Sequence, residues 1–245
     1  MNILSPPISS VFFDYDGTLR ENEPRGADVF QEFAIEYGLE IGDERRFEAE
    51  RWLHYYWAQS DELLRDLELY GGSDNGDFWR QHARRQLTVL GASQDKLDKL
   101  SEQLVAKMQE DYQPRDKIAD DVHPTLKYLV NAGYVLGVVS NREGGLSVEL
   151  EKFALAQYFE TVIAAGEVGW WKPDPRLLRH AINLAGLQSS ETAYVGDNYY
   201  ADVLGAEAAG LQAVLLDPLD LYASKRTLSI NALGELLALL PESHN

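Results

Sequence analysis

The chain has 245 residues, of which 45% are hydrophobic and 11% aromatic, a composition typical of folded globular proteins. Its formal net charge of −18 opposes binding to nucleic acids and anionic lipid surfaces, so we expect neither as a partner. The absence of cysteine excludes disulfides, thiolate metal sites and cysteine nucleophiles. No segment resembles a signal peptide or a membrane span of roughly 18 apolar residues, so we expect a cytoplasmic protein.

Short β-rich runs recur along the chain, with helical patterns between the later ones. The first run, SSVFFD, ends at Asp14, and the others are YVLGVVS, TVIAA, TAYVG and QAVLLD. The helical patterns are PTLKYLVNAG, LSVELEKFAL, PRLLRHAINLAG and ADVLGAEAAG, and three of them close on Gly133, Gly186 and Gly210. This alternation predicts an α/β fold, a doubly wound parallel sheet covered by helices on both faces.

The region from about Glu21 to Lys117 has a different pattern, with helical apolar spacing throughout and no convincing strand. GGSDNG at 71–76 is a clear break between two of its helices. We therefore predict a helical domain over 21–117, inserted into a core domain formed by 1–20 and 118–245. The hinges are expected near Arg20–Pro24 and Gln113–Asp120.

Polar side chains follow four of the predicted strands where each strand ends. Asp14 and Asp16 follow the first run, and residues i and i+2 of an extended segment point to the same side. Both carboxylates can therefore face one reacting group, while Gly17 lets the chain turn away. Taken alone, this segment is equally consistent with an ordinary Asp-Gly turn.

The next two polar segments suit a phosphate group. Ser140 and Asn141 end the YVLGVVS run, and a hydroxyl with backbone N–H groups suits a phosphate oxygen, although Ser-Asn is also common in turns. Lys172 precedes Pro173 at the start of a predicted helix. A cation there can hold a phosphoryl group, although an exposed lysine before a helix is the usual finding.

Asp197 and Asp202 form the fourth polar segment, after TAYVG. Carboxylates are suitable oxygen ligands for Mg²⁺, and they also favour helix N-termini, so capping is the alternative reading. Ligands of open α/β sheets bind beyond the carboxyl ends of the strands. We therefore expect the four polar segments to meet at one edge of the sheet.

In this order, DYDGTL, VVSN, WWKPDP and GDNYYAD resemble the four motifs of the haloacid dehalogenase-like hydrolase superfamily. The likeness runs from Val11 to roughly Asp217. The helical insertion is similar to the all-helical cap that one branch carries between motifs one and two. The resemblance implies a Rossmann-like core and a Mg²⁺-dependent phosphatase acting on a small-molecule phosphate monoester, as a monomer or homodimer.

The resemblance also implies catalytic roles. Asp14 would be the nucleophile that forms an aspartyl-phosphate, and Asp16 would act as the general acid and then the general base. Ser140, Asn141 and Lys172 would bind the phosphoryl group, with Lys172 stabilising its charge. Arg20, just after the first motif, is either a leaving-group contact or a solvated hinge residue.

Mg²⁺ would be bound by Asp14, the backbone carbonyl of Asp16 and Asp197, with Asp202 supporting the metal or Lys172. Dehalogenase members of the superfamily lack the second aspartate of motif one, and phosphonate-cleaving members replace it. The presence of Asp16 therefore favours phosphate esters. A sugar-phosphate phosphomutase and a non-catalytic binding or regulatory protein of the same fold are the alternatives.

Overall fold

A computed structural model describes residues 4–5, 7–72 and 74–240 of the chain. The chain forms two compact units. The first contains the described residues of Met1–Glu21 and Ile118–Asn245, and the second those of Asn22–Lys117.

The described residues form eight strands and ten α-helices. The strands are β1 (Ser10–Phe13), β2 (Arg20–Glu23), β3 (Arg115–Ile118), β4 (Val135–Ser140), β5 (Thr161–Ala164), β6 (Thr192–Gly196), β7 (Gln212–Leu216) and β8 (Leu228–Ile230). The helices are α1 (Gly26–Glu36), α2 (Asp43–Trp57), α3 (Asp61–Tyr70), α4 (Gly76–Val89), α5 (Leu97–Asp111), α6 (Val122–Asn131), α7 (Ser147–Lys152), α8 (Ala165–Val168), α9 (Pro175–Leu184) and α10 (Leu204–Ala209).

Six strands form one parallel sheet in the order β5-β4-β1-β6-β7-β8. This confirms the predicted α/β class. The strand β1 lies near the centre, and its last residue, Phe13, is in register with Val138 of β4 and Val195 of β6. Because the strands are parallel, their carboxyl ends meet at the same edge, which is where a site is expected.

Both faces of the sheet are covered by apolar packing. Along β1, Val11 and Phe13 belong to one hydrophobic cluster, while Phe12 between them belongs to another. In β4, Val138 and Val139 divide in the same way. Successive strand residues point to opposite faces, so an uninterrupted apolar run is the expected sequence of a strand buried on both sides.

The second unit is built from α1 to α5 and has its own buried polar network. Arg85 donates two hydrogen bonds to the buried Asp66, from Nε at 2.7 Å and from Nη2 at 3.0 Å, and Tyr56 donates a third at 3.0 Å. Burial lowers the pKa of the neighbouring His82 to about 4, so its imidazole is neutral at pH 7. The aromatic rings of Trp52, Trp57, Phe78 and Trp79 pack in the same region.

The structure differs from the sequence prediction in the segments expected to be hinges. There β2 and β3 form a separate two-stranded sheet. Their sequences, RENE and RDKI, lack the apolar alternation that marks a strand, so the pattern predicts none. Charge pairs rather than apolar side chains join the two strands, since Glu23 accepts a hydrogen bond from Arg115 and forms a 2.9 Å ion pair with Lys117.

Among the helices of the described residues, none has the length and apolar character that a membrane span requires.

Candidate active site

The ammonium group of Lys172 lies at the centre of the predicted site. Its Nζ donates hydrogen bonds to Oδ1 of Asp14 at 2.6 Å, Oδ1 of Asp202 at 2.6 Å and the hydroxyl of Tyr194 at 2.9 Å. The Lys172 side chain is 2% exposed, and those of Asp14 and Asp202 are 10% and 1% exposed. Three segments far apart in sequence therefore meet on one buried cation.

Two neighbours hold Lys172 in place. The backbone N–H of Lys172 donates to Oδ1 of Asn141 at 2.6 Å, and Nδ2 of Asn141 donates to the Lys172 carbonyl at 2.9 Å. The Tyr194 hydroxyl donates to the carbonyl of Val139 at 2.9 Å while accepting from Lys172. The Asn141 side chain thus supports Lys172, and its role as a phosphate ligand stays a prediction.

The fourth motif supplies Asp197 just before, and Asp202 within, a short π-helix, Tyr199–Val203, that leads into α10. Asn198 caps it, because Oδ1 of Asn198 accepts from the backbone N–H groups of Tyr200 and Ala201 at 3.0 Å. The second oxygen of Asp202 accepts from the backbone N–H of Asn198 at 2.9 Å. Asp202 is thereby fixed with one oxygen on the backbone and one on Lys172.

Two glycines make room for these carboxylates. A Cβ at Gly17 would lie 2.4 Å from Oδ2 of Asp197, and the φ of Gly17 is +88°. A Cβ at Gly196 would lie 2.3 Å from Cγ of Asp202. Any larger residue at either position would displace an acidic group, which explains a glycine beside each motif.

Asp14, Asp197 and Asp202 each place one oxygen within 4.8 Å of the others, an arrangement that can hold a metal ion. Burial raises the pKa of Asp14 to about 7, against the lowering effect of Lys172. Burial, Asp202 and Asp14 raise the pKa of Asp197 well above its ordinary range. One lysine does not balance three clustered carboxylates, two of them buried, so their charge and hard oxygen donors fit a divalent cation such as Mg²⁺.

Asp16 is more exposed than Asp14, with 38% of its side chain accessible, and two arginines hold it. Arg142 donates from Nε to Oδ2 at 2.7 Å and from Nη2 to Oδ1 at 2.8 Å. Arg20 donates from Nη1 to Oδ1 at 3.1 Å. Asp14 and Asp16 therefore lie in different environments, one buried on Lys172 and one at the surface on a guanidinium pair.

Sequence reasoning missed two residues of this cluster, Arg142 and Tyr194. Arg142 lies two positions after Ser140, the last residue of β4, where a side chain can reach the same edge of the sheet. Its position at a strand end was an available signal. Tyr194 lies inside an apolar run and had no such signal, because a buried tyrosine in a strand usually serves packing.

Comparison with known proteins identifies the family. The sequence profile of haloacid dehalogenase-like hydrolases matches residues 11–216. The chain belongs to this family.

Haloacid dehalogenase-like hydrolase domain-containing protein 3 of Bos taurus is 33% identical over 128 residues, 51% of this chain and 51% of that protein. The chain thus matches about half the length of that relative. Ribulose-1,5-bisphosphate 5-phosphatase of Halopiger xanaduensis is 28% identical over 244 residues, 95% of this chain and 99% of that protein.

Solved structures of this family share the fold. The 2-haloacid dehalogenase from Pseudomonas syringae has a TM-score of 0.53 at 23% identity, covering 95% of this chain and 98% of that one. The HAD phosphatase from Thermococcus onnurineus has a TM-score of 0.52 at 22% identity, covering 95% and 97%. A dehalogenase and a phosphatase match equally well, so the reaction has to be argued from the site.

The raised pKa of Asp14 predicts how stability depends on pH. The ordinary value is 3.8 and the folded value is about 7, so between them the folded protein keeps a proton that the unfolded chain has lost. Rising pH therefore favours unfolding in this window. In EDTA, we expect the contribution of Asp14 to the free energy of unfolding to fall from pH 4 to pH 7, by up to about 1.4 kcal/mol per pH unit.

Urea denaturation at pH 5, 6 and 7 measures this slope, and Asp14→Asn is the matched variant without an ionisable group at that position. The wild type should lose stability relative to this variant as the pH rises from 5 to 7. A divalent cation binds the ionised carboxylates, so it should stabilise the protein more at pH 7 than at pH 5. Equal slopes for the two proteins would contradict the assignment to Asp14.

Proposed function

We propose that the chain is a Mg²⁺-dependent phosphatase that hydrolyses small-molecule phosphate monoesters through an aspartyl-phosphate on Asp14. The observation that carries the proposal is the pair of 2.6 Å contacts joining Lys172 to Asp14 and Asp202, with Asp197 close by. Phosphoryl transfer depends mainly on positioning and on neutralising charge, and this cluster supplies both.

In the first half of the reaction, a carboxylate oxygen of Asp14 attacks phosphorus and the bond from phosphorus to the ester oxygen breaks. Lys172 binds Oδ1 of Asp14, so Oδ2 would be the attacking atom. Asp16 gives its proton to the departing alkoxide, which leaves as a neutral alcohol. Ser140 and the backbone at Asn141 would bind phosphoryl oxygens.

In the second half, Asp16 accepts a proton from the water that attacks phosphorus, and the bond to Asp14 breaks. Phosphate leaves and both aspartates return to their starting states. Lys172 keeps its three hydrogen-bond partners in the ground state, so its charge is in place before the reaction begins.

Asp14, Asp197 and the backbone carbonyl of Asp16 would hold Mg²⁺, with Asp202 supporting Lys172 and the metal. The bound ion would supply charge neutralisation for phosphoryl oxygens. Raised pKa values at Asp14 and Asp197 support this, because a buried acidic cluster with too little positive charge favours a divalent cation.

Asp16 favours phosphate esters over carbon–halogen bonds, because halide departs without a proton whereas an alkoxide needs one. Relatives named as phosphatases support the same choice, including phosphoserine phosphatase of Thermus thermophilus, 44% identical over 86 residues, 35% of this chain and 34% of that protein. The role of the helical unit as a cap, the cytoplasmic location and the oligomeric state stay predictions from the sequence.

Phosphate release from a panel of metabolite phosphate esters tests the proposal. Wild-type protein should release phosphate with Mg²⁺ and lose this activity in EDTA. Asp14→Asn should lower kcat by at least about a thousandfold, because it removes the nucleophile with little change in shape.

Asp220→Asn is the control, since it makes the same change at an exposed position outside the hydrogen-bonded cluster, where φ is 53° and asparagine is well tolerated. Its activity should match the wild type. No release from the whole panel, or activity that survives Asp14→Asn, would overturn the proposal. Transfer of phosphate between positions of one sugar phosphate without net release would indicate a mutase.

The assigned role of Asp16 predicts a dependence on the leaving group. Asp16→Asn should lower kcat/KM for glycerol 3-phosphate by about 10²–10⁴-fold, since an alkoxide needs the proton. The loss for p-nitrophenyl phosphate should be at least tenfold smaller, because p-nitrophenolate leaves unprotonated. Steady-state and pre-steady-state kinetics with both esters measure the difference.

A burst of p-nitrophenol is expected from this variant, because the water step still lacks its base and the phosphoenzyme accumulates. Asp220→Asn again serves as the matched control. Equal losses of kcat/KM for the two esters would show that Asp16 does not protonate the leaving group.

A further inference from the structure

The guanidinium of Arg142 is bound on several sides. It holds Asp16 through two parallel hydrogen bonds, of 2.7 and 2.8 Å, and its Nη1 donates to Glu149 of α7 at 3.0 Å. Its Cζ lies 5.0 Å from the ring centroid of Tyr15. Its backbone carbonyl accepts from the N–H of Gly166 at 3.0 Å. The two parallel donors of the guanidinium, the Arg142 fork, are therefore held in one geometry without a ligand.

Arg142 and Asp16 are much more accessible than the pair beside them. Their side chains are 28% and 38% exposed, whereas those of Lys172 and Asp14 are 2% and 10% exposed. Because the pair is partly open to solvent, a substrate anion can reach Arg142 and exchange with Asp16, so that one bidentate ion pair replaces another. The three hydrogen bonds of Lys172 go to Asp14, Asp202 and Tyr194, which leaves its ammonium group no donor for a second substrate anion.

We propose that Arg142, assisted by Arg20, forms a subsite for a second anionic group, a carboxylate or phosphate, on the alcohol part of the substrate. The inference rests on the proposed function, because it assigns the part of the ester that departs beside Asp16. In the free protein the Asp16 carboxylate stands in for that group, and it shows that the fork accepts a planar anion.

The exchange has a consequence for Asp16. While both of its oxygens accept hydrogen bonds from Arg142, the carboxylate is held away from any leaving oxygen. A substrate anion that takes over the Arg142 guanidinium releases the Asp16 carboxylate, which then takes up a proton from solvent and gives it to the leaving oxygen. Substrates with a second anion are thus selected twice, by binding to Arg142 and by freeing Asp16. In a chain of net charge −18, this local cation pair also offsets the repulsion of a doubly anionic substrate.

Two matched pairs of esters test the subsite and distinguish the two anions. 3-Phosphoglycerate and glycerol 3-phosphate differ by a carboxylate, and fructose 1,6-bisphosphate and fructose 6-phosphate differ by a phosphate. The wild type should prefer the more anionic member of at least one pair by tenfold or more in kcat/KM. In Arg142→Met this preference should fall below about threefold, mainly through a raised KM, since a charge-assisted hydrogen-bond pair is lost.

Arg142→Lys keeps the charge but cannot form the fork, so its preference should lie between those of the wild type and Arg142→Met. This variant decides the question if thermal unfolding shows that Arg142→Met is not folded. Arg179→Met, an exposed arginine of α9 outside the cluster, should keep the full preference. Equal rates for both members of both pairs in the wild type, or a preference that survives in the folded Arg142 variants, would overturn the subsite.

If the proposed function is wrong, the protein will hydrolyse none of these esters, which is a different result. In that case, calorimetric titration of the wild type with 3-phosphoglycerate and glycerol 3-phosphate, and with both fructose phosphates, still tests the subsite. Binding of the more anionic member that is at least tenfold tighter, and that weakens in Arg142→Met, would support it. Equal affinities within each pair would refute it.

Discussion

The site depends on one buried ammonium group shared by two carboxylates. Lys172 donates to Asp14 and Asp202 at 2.6 Å, and removing the lysine would leave two buried carboxylates without their cation. The three residues come from segments that end or follow different strands, so the parallel order of the sheet is what brings them together. Asn141 and Tyr194 fix the position of the lysine, and Gly17 and Gly196 leave space for the acidic groups.

The two aspartates of motif one are divided by their surroundings. Asp14 is buried on a lysine, with a pKa raised to about 7, whereas Asp16 lies at the surface on an arginine fork. Aspartate can therefore serve as a fixed nucleophile at Asp14 and as a general acid and base at Asp16. The positive charges of Lys172, Arg142 and Arg20 offset the negative net charge of the chain at the site.

The sheet was predictable because its strands are continuous apolar runs that end in polar residues, as Phe12 and Phe13 before Asp14 illustrate. The convergence of Asp14, Lys172 and Asp202 followed from the rule that strand ends meet at one edge. Local sequence could not reveal the strands at Arg20–Glu23 and Arg115–Ile118, which are polar and pair across about 90 residues. Nor could it reveal that the Asn141 side chain binds the backbone of Lys172, because that contact exists only after folding.

The central claim is that Asp14 becomes covalently phosphorylated while Lys172 holds it. Rapid acid quenching during turnover, followed by proteolysis and mass spectrometry, measures this directly. We predict one added phosphoryl group on the peptide containing Asp14, sensitive to hydroxylamine as an acyl phosphate and absent from Asp14→Asn. A phosphoryl group on another residue, or turnover with no modified peptide in a variant slowed at the water step, would contradict the account.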